Sequence, residues 1–137
     1  MSSSTVHANN IVIGSVSGRV MKGNQIGRTI GFPTANLDLS NADTQLERGV
    51  YGVKVQYDHK EYIGMMSVGV RPTFHKGETS YHYEVHIFDF AKDIYGEKLV
   101  VDILFYIRDE VSFPSVEQLI EQIQKDQKET LKRFAIS

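Results

Sequence analysis

The sequence lacks cysteine altogether. This absence excludes a disulfide scaffold, a cysteine-rich zinc site and a thiol nucleophile, and it is typical of a reducing compartment. No run of apolar residues approaches the roughly eighteen that a membrane span requires. The chain also lacks an excess of either charge: 15 basic and 17 acidic residues give a formal charge of −2, which disfavours a broad basic surface for duplex nucleic acid. We therefore expect a cytoplasmic protein that binds neither a membrane nor nucleic acid.

What remains is the composition of an ordinary globular domain. With 137 residues, of which 41% are hydrophobic and 23% charged, the chain can bury its own core without a metal or a disulfide. Residues 1–10 are polar and lack the basic and apolar parts of a secretory signal, so we expect a flexible leader, a linker or an expression remnant there. We predict a single domain over residues 11–137.

Hydrophobic periodicity predicts a mainly β structure that ends in a helix. We predict five strands: residues 11–20, 50–57, 61–70, 80–90 and 98–107. Residues 11–20 are apolar and β-branched, the segments at 50–57, 80–90 and 98–107 have side chains that alternate between two faces, and 61–70 follows a predicted tight turn that makes a hairpin. In the last strand, five apolar residues are expected to share one face: Leu99, Val101, Ile103, Phe105 and Ile107. The period then becomes that of an amphipathic helix over residues 115–134, with Ser115 and Gln118 in capping-box spacing. This order favours an antiparallel barrel or sandwich with a packed terminal helix.

A glycine-rich segment over residues 18–36 is the first candidate site. Its glycines would let backbone N–H groups approach phosphate oxygens, and Lys22 and Arg28 could balance the phosphate charge. The segment matches neither the Walker A pattern nor the dinucleotide fingerprint, and a flexible barrel corner is the alternative interpretation. At its end, Thr34 and Asn36 would project to the same side of an extended chain. Their oxygens suit Mg²⁺, although Pro-Thr-Ala-Asn is also an ordinary turn.

The second candidate is a polar face on the fourth predicted strand. Glu84 lies between His82 and His86, opposite a face formed by Tyr81, Tyr83, Val85 and Ile87. Glu84 could act as a general base, the three residues could bind a transition metal, or the face could simply be solvated. The loop over residues 108–114 combines charges with an aromatic residue, which is typical of a ligand flap and also of ordinary loops.

Together, and in this order, these segments resemble the riboflavin kinase (flavokinase) family, including the kinase module of bacterial bifunctional FAD synthetases. The resemblance covers roughly residues 13–134 and rests on an ordered set of blocks: GRTIGFPTAN at 27–36, GVYG at 49–52, SVGVRPTF at 67–74, EVHIFDF at 84–90, DIYG at 93–96, and IR at 107–108 leading to Phe113. It implies a six-stranded antiparallel Greek-key β-barrel with a C-terminal α-helix, and therefore a further short strand, for example near residues 34–37. It also implies Mg²⁺-dependent transfer of the ATP γ-phosphate to riboflavin, giving FMN and ADP.

The resemblance also implies roles on the ATP side of the site. Gly23 and Arg28 match the phosphate-binding loop, and Tyr95 lies near the expected adenine side. Thr34 and Asn36 match the positions that hold the nucleotide-bound Mg²⁺. The metal ligands and part of the nucleotide site are thus implied to share one short segment.

On the flavin side, the resemblance implies that Glu84 is the catalytic base for the riboflavin 5′-hydroxyl. Arg108 and Phe113 match the flap that closes on the flavin. Because only about ten polar residues precede the kinase-like region, we expect no FAD formation by this chain. We expect a monomer, either a stand-alone kinase or a module excised from, or cooperating with, an FMN adenylyltransferase module. The alternatives are a non-catalytic flavin- or nucleotide-binding regulatory module, a metal-dependent barrel enzyme, and, least favoured by the charge, an oligonucleotide-binding barrel.

Overall fold

The computed structural model describes residues 13–21, 32–39, 46–72 and 79–136, and the predicted leader at residues 1–10 lies outside this part of the chain. The described residues form six strands and one helix. These elements are β1 (Gly14–Met21), β2 (Ala35–Asp38), β3 (Gly49–Tyr57), β4 (Lys60–Pro72), β5 (Thr79–Ile87), β6 (Lys98–Arg108) and α1 (Val116–Ile136). Five strands and the helix lie where the periodicity predicts them, and β2 is the short sixth strand that the family resemblance implies.

The six described strands close into an antiparallel barrel in the order β1-β2-β5-β4-β3-β6, which confirms the predicted fold class. Pairing between β2 and β5, and between β3 and β6, joins strands that are not consecutive in the chain, as in a Greek key. The β3–β4 hairpin turns at Asp58 and His59, whose φ angles of 52° and 63° are those of a turn that matches the strand twist. Closure gives each described strand a partner on both sides.

Inward-facing residues from all six strands form the core of the barrel. Those with almost no exposed surface are Val53, Val55, Met66, Val68, Val85, Leu99, Val101 and Ile103. Tyr83 follows the predicted pattern and is buried, whereas Tyr81 stacks on Tyr83 with ring centroids 6.2 Å apart and remains 51% exposed. The predicted inner face of β5 therefore holds from Tyr83 onward, and Tyr81 lies at the open end of the barrel.

The predicted face of β6 is wrong beyond Ile103. The pairing of β6 with β3 shifts by one residue directly after Ile103, and it shifts again at Ile107. Since each extra residue reverses the alternation of side chains, Phe105 faces outward. Tyr106 lies on the same side as Tyr51, with the two rings 5.3 Å apart, and remains 37% exposed. Two β-bulges thus override the apolar spacing of the sequence.

The helix α1 packs on the outer face of the barrel. Its first turn is capped as predicted, because the backbone N–H of Gln118 donates to Ser115 Oγ at 3.2 Å. Near its end, the ring of Phe134 lies 5.2 Å from that of Phe105, which the first bulge turns outward. A Cβ on Gly52 would overlap the Phe105 ring, so the glycine provides the space that this contact needs.

Candidate active site

Thr34, Asn36 and Glu84 meet on the outer face of the barrel where β2 pairs with β5. Ala35 and Val85 pair toward the core, so the neighbouring pair, Asn36 and Glu84, faces outward. The Thr34 hydroxyl lies 3.5 Å from Glu84 Oε1, at the limit of a hydrogen bond, although 50 positions separate the two residues. The structure therefore brings together the oxygen donors and the carboxylate that the sequence singles out.

A cavity of about 340 Å³ opens at the adjoining end of the barrel. Its walls come from the end of β1, the segment before β2, the end of β5 and the loop that follows, and they include Val20, Thr34, Lys92 and Tyr95. The volume lies in the range of small-molecule sites. Thr34 therefore borders both the cavity and Glu84, and Tyr95, predicted on the adenine side, lies in the cavity wall.

The predicted flavin-binding pair lies at the end of β6, which holds Arg108, and in the connection to α1, which holds Phe113. Arg108 Nε lies 3.0 and 2.9 Å from the two carboxylate oxygens of Asp126 in α1, and Arg108 Nη2 lies 2.9 Å from Oδ2. Asp126 is only 3% exposed and also accepts a hydrogen bond of 2.9 Å from Gln122. The Arg108 guanidinium lies 5.7 Å from the ring centre of Phe113. Arg108 and Phe113 are thus neighbours, and Arg108 has a partner in the helix that was not predicted.

Two further residues of this connection fold back on the barrel. The Glu110 carboxylate rests against Gly69 of β4, where a Cβ would overlap it. The Tyr106 hydroxyl donates to the Asp109 carboxylate. That hydrogen bond, followed by burial, raises the pKa of Tyr106 to about 12. The start of the connection is thus held to β4 by Glu110 and to β6 by Asp109.

One row of paired residues joins the β2–β5 site to the β6–α1 connection. Successive Cα partners across β2, β5, β4, β3 and β6 are Asn36, Glu84, Ser67, Val50 and Arg108. Because neighbouring strands lie roughly 4.8 Å apart, Glu84 and Arg108 are about 14 Å apart along this row. The row therefore connects Asn36 and Glu84 to Arg108 across the outer face of the barrel.

The polar face of β5 does not have the arrangement of a transition-metal site. Both ring nitrogens of His86 have other partners: Nδ1 lies 2.8 Å from the Pro33 carbonyl oxygen, and Nε2 lies 3.3 Å from the side-chain nitrogen of Gln127. Within the described parts of the chain, no three His, Asp or Glu side chains form a group that could hold a metal ion. The alternative of a site built from His82, Glu84 and His86 is therefore not supported.

Gly23 and Arg28, the two residues predicted to contact the ATP phosphates, lie outside the described residues, and these contacts stay predictions.

Sequence reasoning missed Asp126, although the sequence contains a signal for it. Asp126 stands between Ile123 and Thr130 at helical spacing, where an acidic side chain faces the barrel and needs a partner. It also missed the contact between His86 and the Pro33 carbonyl, for which no local pattern exists.

Comparison with known proteins decides the family. The sequence matches the flavokinase family, described as riboflavin kinase, over residues 13–134. The chain belongs to the riboflavin kinase family. This match covers the whole barrel and nearly all of the helix, so the described site lies entirely within the riboflavin kinase domain.

Two relatives from Bacillus subtilis carry this riboflavin kinase domain within longer chains. The RNA-binding riboflavin kinase RibR is 45% identical over 121 residues, which cover 88% of this chain and 51% of that protein. The bifunctional riboflavin kinase/FMN adenylyltransferase is 37% identical over 130 residues, which cover 92% of this chain and 41% of that protein. The chain therefore spans about half, or less, of the length of these curated relatives.

Solved structures share the same architecture. The macrolide-efflux protein from Streptococcus pneumoniae matches with a TM-score of 0.79 and 44% identity, over 85% of this chain and 38% of that one. Riboflavin kinase from Trypanosoma brucei matches with a TM-score of 0.59 and 23% identity, over 86% of this chain and 77% of that one, and this likeness concerns the fold. In the described part of our chain, the helix is not apolar enough over a sufficient length to cross a membrane.

Proposed function

We propose that this chain transfers the γ-phosphoryl group of ATP to the 5′-hydroxyl of riboflavin, giving FMN and ADP, with Mg²⁺ as the metal. The observation that carries the proposal is the meeting of Thr34, Asn36 and Glu84 beside the cavity. Oxygen donors for a nucleotide-bound cation then stand next to a carboxylate that can take a proton. Membership of the riboflavin kinase family supports the same reaction.

The oxygen ligands offered by Thr34, just before β2, and Asn36, on β2, fit Mg²⁺. Thr34 offers a hydroxyl oxygen and Asn36 an amide oxygen on the same side of the chain, and Mg²⁺ takes hard oxygen ligands while keeping several waters. When bound, Mg²⁺ supplies positive charge that offsets the charge of the phosphates during transfer. In this proposal Tyr95 contacts the adenine from the cavity wall, and Gly23 and Arg28 contact the phosphates.

Glu84 acts as the general base in this proposal. Its carboxylate accepts the proton of the riboflavin 5′-hydroxyl while that oxygen bonds to the γ-phosphorus, and the bond between the γ-phosphorus and the bridging oxygen of ADP breaks. The Thr34 hydroxyl, 3.5 Å from Oε1, orients the carboxylate. Arg108 and Phe113 close over the flavin and exclude water, which limits hydrolysis of ATP.

We also propose that residues 11–137 form the kinase domain and that it acts as a monomer in the cytoplasm. The absence of cysteine supports a reducing compartment. We expect this chain to release FMN and to form no FAD. A bifunctional relative combines riboflavin kinase with FMN adenylyltransferase, so such an adenylyltransferase is the partner enzyme with which we expect cooperation.

An endpoint assay by chromatography tests the reaction. The 137-residue chain is incubated with riboflavin, ATP and Mg²⁺, and FMN, FAD and ADP are quantified with and without a chelator. We expect FMN and ADP in equal amounts, no FAD, and loss of both products with the chelator. Riboflavin binding without any FMN would overturn the proposal in favour of a non-catalytic binding module.

Glu84→Gln tests the proposed base. Loss of a general base should lower kcat about 100-fold or more while leaving the Kd for ATP nearly unchanged, because the amide keeps the size of the side chain. Glu61→Gln on the exposed start of β4 is the matched control and should keep wild-type kcat. A Glu84→Gln variant with wild-type kcat would remove Glu84 from the mechanism.

Thr34→Ala and Asn36→Ala test the proposed metal ligands. Each should raise the KM for the magnesium–ATP complex and the Mg²⁺ concentration needed for half-maximal rate, because each removes an oxygen donor. The KM for riboflavin should change much less. An unchanged dependence on Mg²⁺ in both variants would contradict the assignment.

A further inference from the structure

His86 makes two directed contacts on the outer face of β5, two residues from Glu84. Its Nδ1 lies 2.8 Å from the Pro33 carbonyl oxygen, which only accepts hydrogen bonds. Its Nε2 lies 3.3 Å from the side-chain nitrogen of Gln127 in α1, which only donates. The two partners together require a proton on Nδ1 and a lone pair on Nε2. They therefore select one neutral tautomer of the ring.

The imidazole ring is also held by aromatic neighbours. Its centre lies 5.9 Å from that of Phe32, which precedes Pro33, and 5.5 Å from that of Phe88, which directly follows β5, both in edge-to-face arrangements. The residue is half-buried. Two aromatic rings and two polar groups thus contact His86, so the ring is restrained in place and orientation.

His86 contacts Pro33 two residues before the pairing of β2 with β5 begins. Pairing of β2 with β5 starts at Ala35 opposite Val85, so Thr34 lies just outside this ladder. Proline has no N–H, and the carbonyl is the hydrogen-bonding group that Pro33 can offer. The bond from His86 fixes the plane of the peptide between Pro33 and Thr34, and that plane sets the direction of the Thr34 side chain.

We propose that His86 is a positioning residue that holds the Thr34 hydroxyl beside Glu84 and connects this segment to α1 through Gln127. The inference rests on the proposed role of Thr34 in binding the magnesium–nucleotide complex. It assigns no proton transfer to His86 in the reaction.

Two conservative variants separate the two contacts of His86. In His86→Asn, the amide nitrogen takes the place of Nδ1 and can still donate to Pro33, while the contact to Gln127 is lost. In His86→Gln, the longer side chain reaches toward Gln127, while the donor to Pro33 is lost. Gln127→Ala is the matched control, because it removes the helix contact alone.

Binding and kinetics are measured together on each variant. In His86→Gln we expect the Kd for magnesium–ADP, from isothermal titration calorimetry, and the KM for magnesium–ATP to rise about tenfold, with the KM for riboflavin nearly unchanged. His86→Asn and Gln127→Ala should stay within about threefold of wild type. Equal effects in the Asn and Gln variants, or equal losses for both substrates, would overturn the proposal.

The wild-type protein offers a test without substitution. ¹⁵N NMR of the imidazole should find a proton on Nδ1, and a ring protonated at Nε2 alone would overturn the proposal even if a variant fails to fold. The measurement of magnesium–ADP binding also separates this inference from the proposed function. If the chain forms no FMN, the reaction is wrong, whereas a selective loss of magnesium–ADP binding in His86→Gln would still support the role of His86.

Discussion

Arg108 pairs with Asp126, and replacing Arg108 by methionine should lower the free energy of unfolding more than replacing Asp126 by asparagine. The Asp126 carboxylate contacts both Nε and Nη2 of Arg108. The side chain of Asp126 is only 4% exposed, whereas that of Arg108 is 21% exposed. Arg108→Met therefore leaves a buried carboxylate with the single bond from Gln122. Asp126→Asn leaves a guanidinium that can still reach water and the Asp109 carbonyl.

The magnitude follows from these contacts. A hydrogen bond to a charged group contributes about 1.5–3 kcal/mol. Removing one partner of a buried pair costs about 3–5 kcal/mol, because the other charge is left uncompensated. We expect this loss for Arg108→Met, which for a chain of this size lowers Tm by roughly 10–20 °C. Asp126→Asn should cost only about 1–2 kcal/mol, because one neutral acceptor remains.

Urea unfolding followed by circular dichroism measures both variants, together with the double variant Arg108→Met/Asp126→Leu. The double variant should recover part of the loss, since no buried charge remains. A loss below about 1 kcal/mol for Arg108→Met, or a larger loss for Asp126→Asn, would refute the reasoning. If Arg108→Met is stable but its KM for riboflavin rises strongly, Arg108 acts on the flavin rather than through the helix.

Three further predictions concern the bulge, a tyrosine and the cavity. Gly52→Ala should cost about 1–3 kcal/mol, because its Cβ would overlap the Phe105 ring, and Phe105→Leu should relieve part of that loss in urea unfolding. The raised pKa of Tyr106, about 12 instead of 10.0, means that its contribution to stability is present below pH 10 and is lost as the pH rises to 12. The difference between the ultraviolet titration curves of the wild type and of Tyr106→Phe should show one phenol with a pKa of about 12. Asp109→Asn should move that pKa toward its ordinary value. Tyr95→Ala should raise the KM for ATP more than that for riboflavin, and equal effects on both would contradict a place on the adenine side.

Some residues of the candidate site could be predicted from the sequence. Thr34 and Asn36 stand two apart in an extended segment, and Glu84 lies on a polar face, so each was found from local spacing. Local spacing left several roles open for each of them. The pairing of Asn36 with Glu84 joins them, and it depends on the register between β2 and β5.

The sequence by itself determined five of the six described strands, the helix and most of the residues that fill the barrel. These follow from periods of two and 3.6 residues, which are properties of neighbouring positions. Phe105 illustrates the limit: its spacing predicts an inward side chain, and a bulge turns it outward onto Phe134.

Only the tertiary structure decided that bulge, the pair of Arg108 with Asp126 and the contact of His86 with Pro33. Each of these depends on which distant residue lies opposite in the folded barrel. The physical reason is that register and long-range partners are chosen by the packing of the whole domain, whereas alternation is set by the geometry of the local backbone.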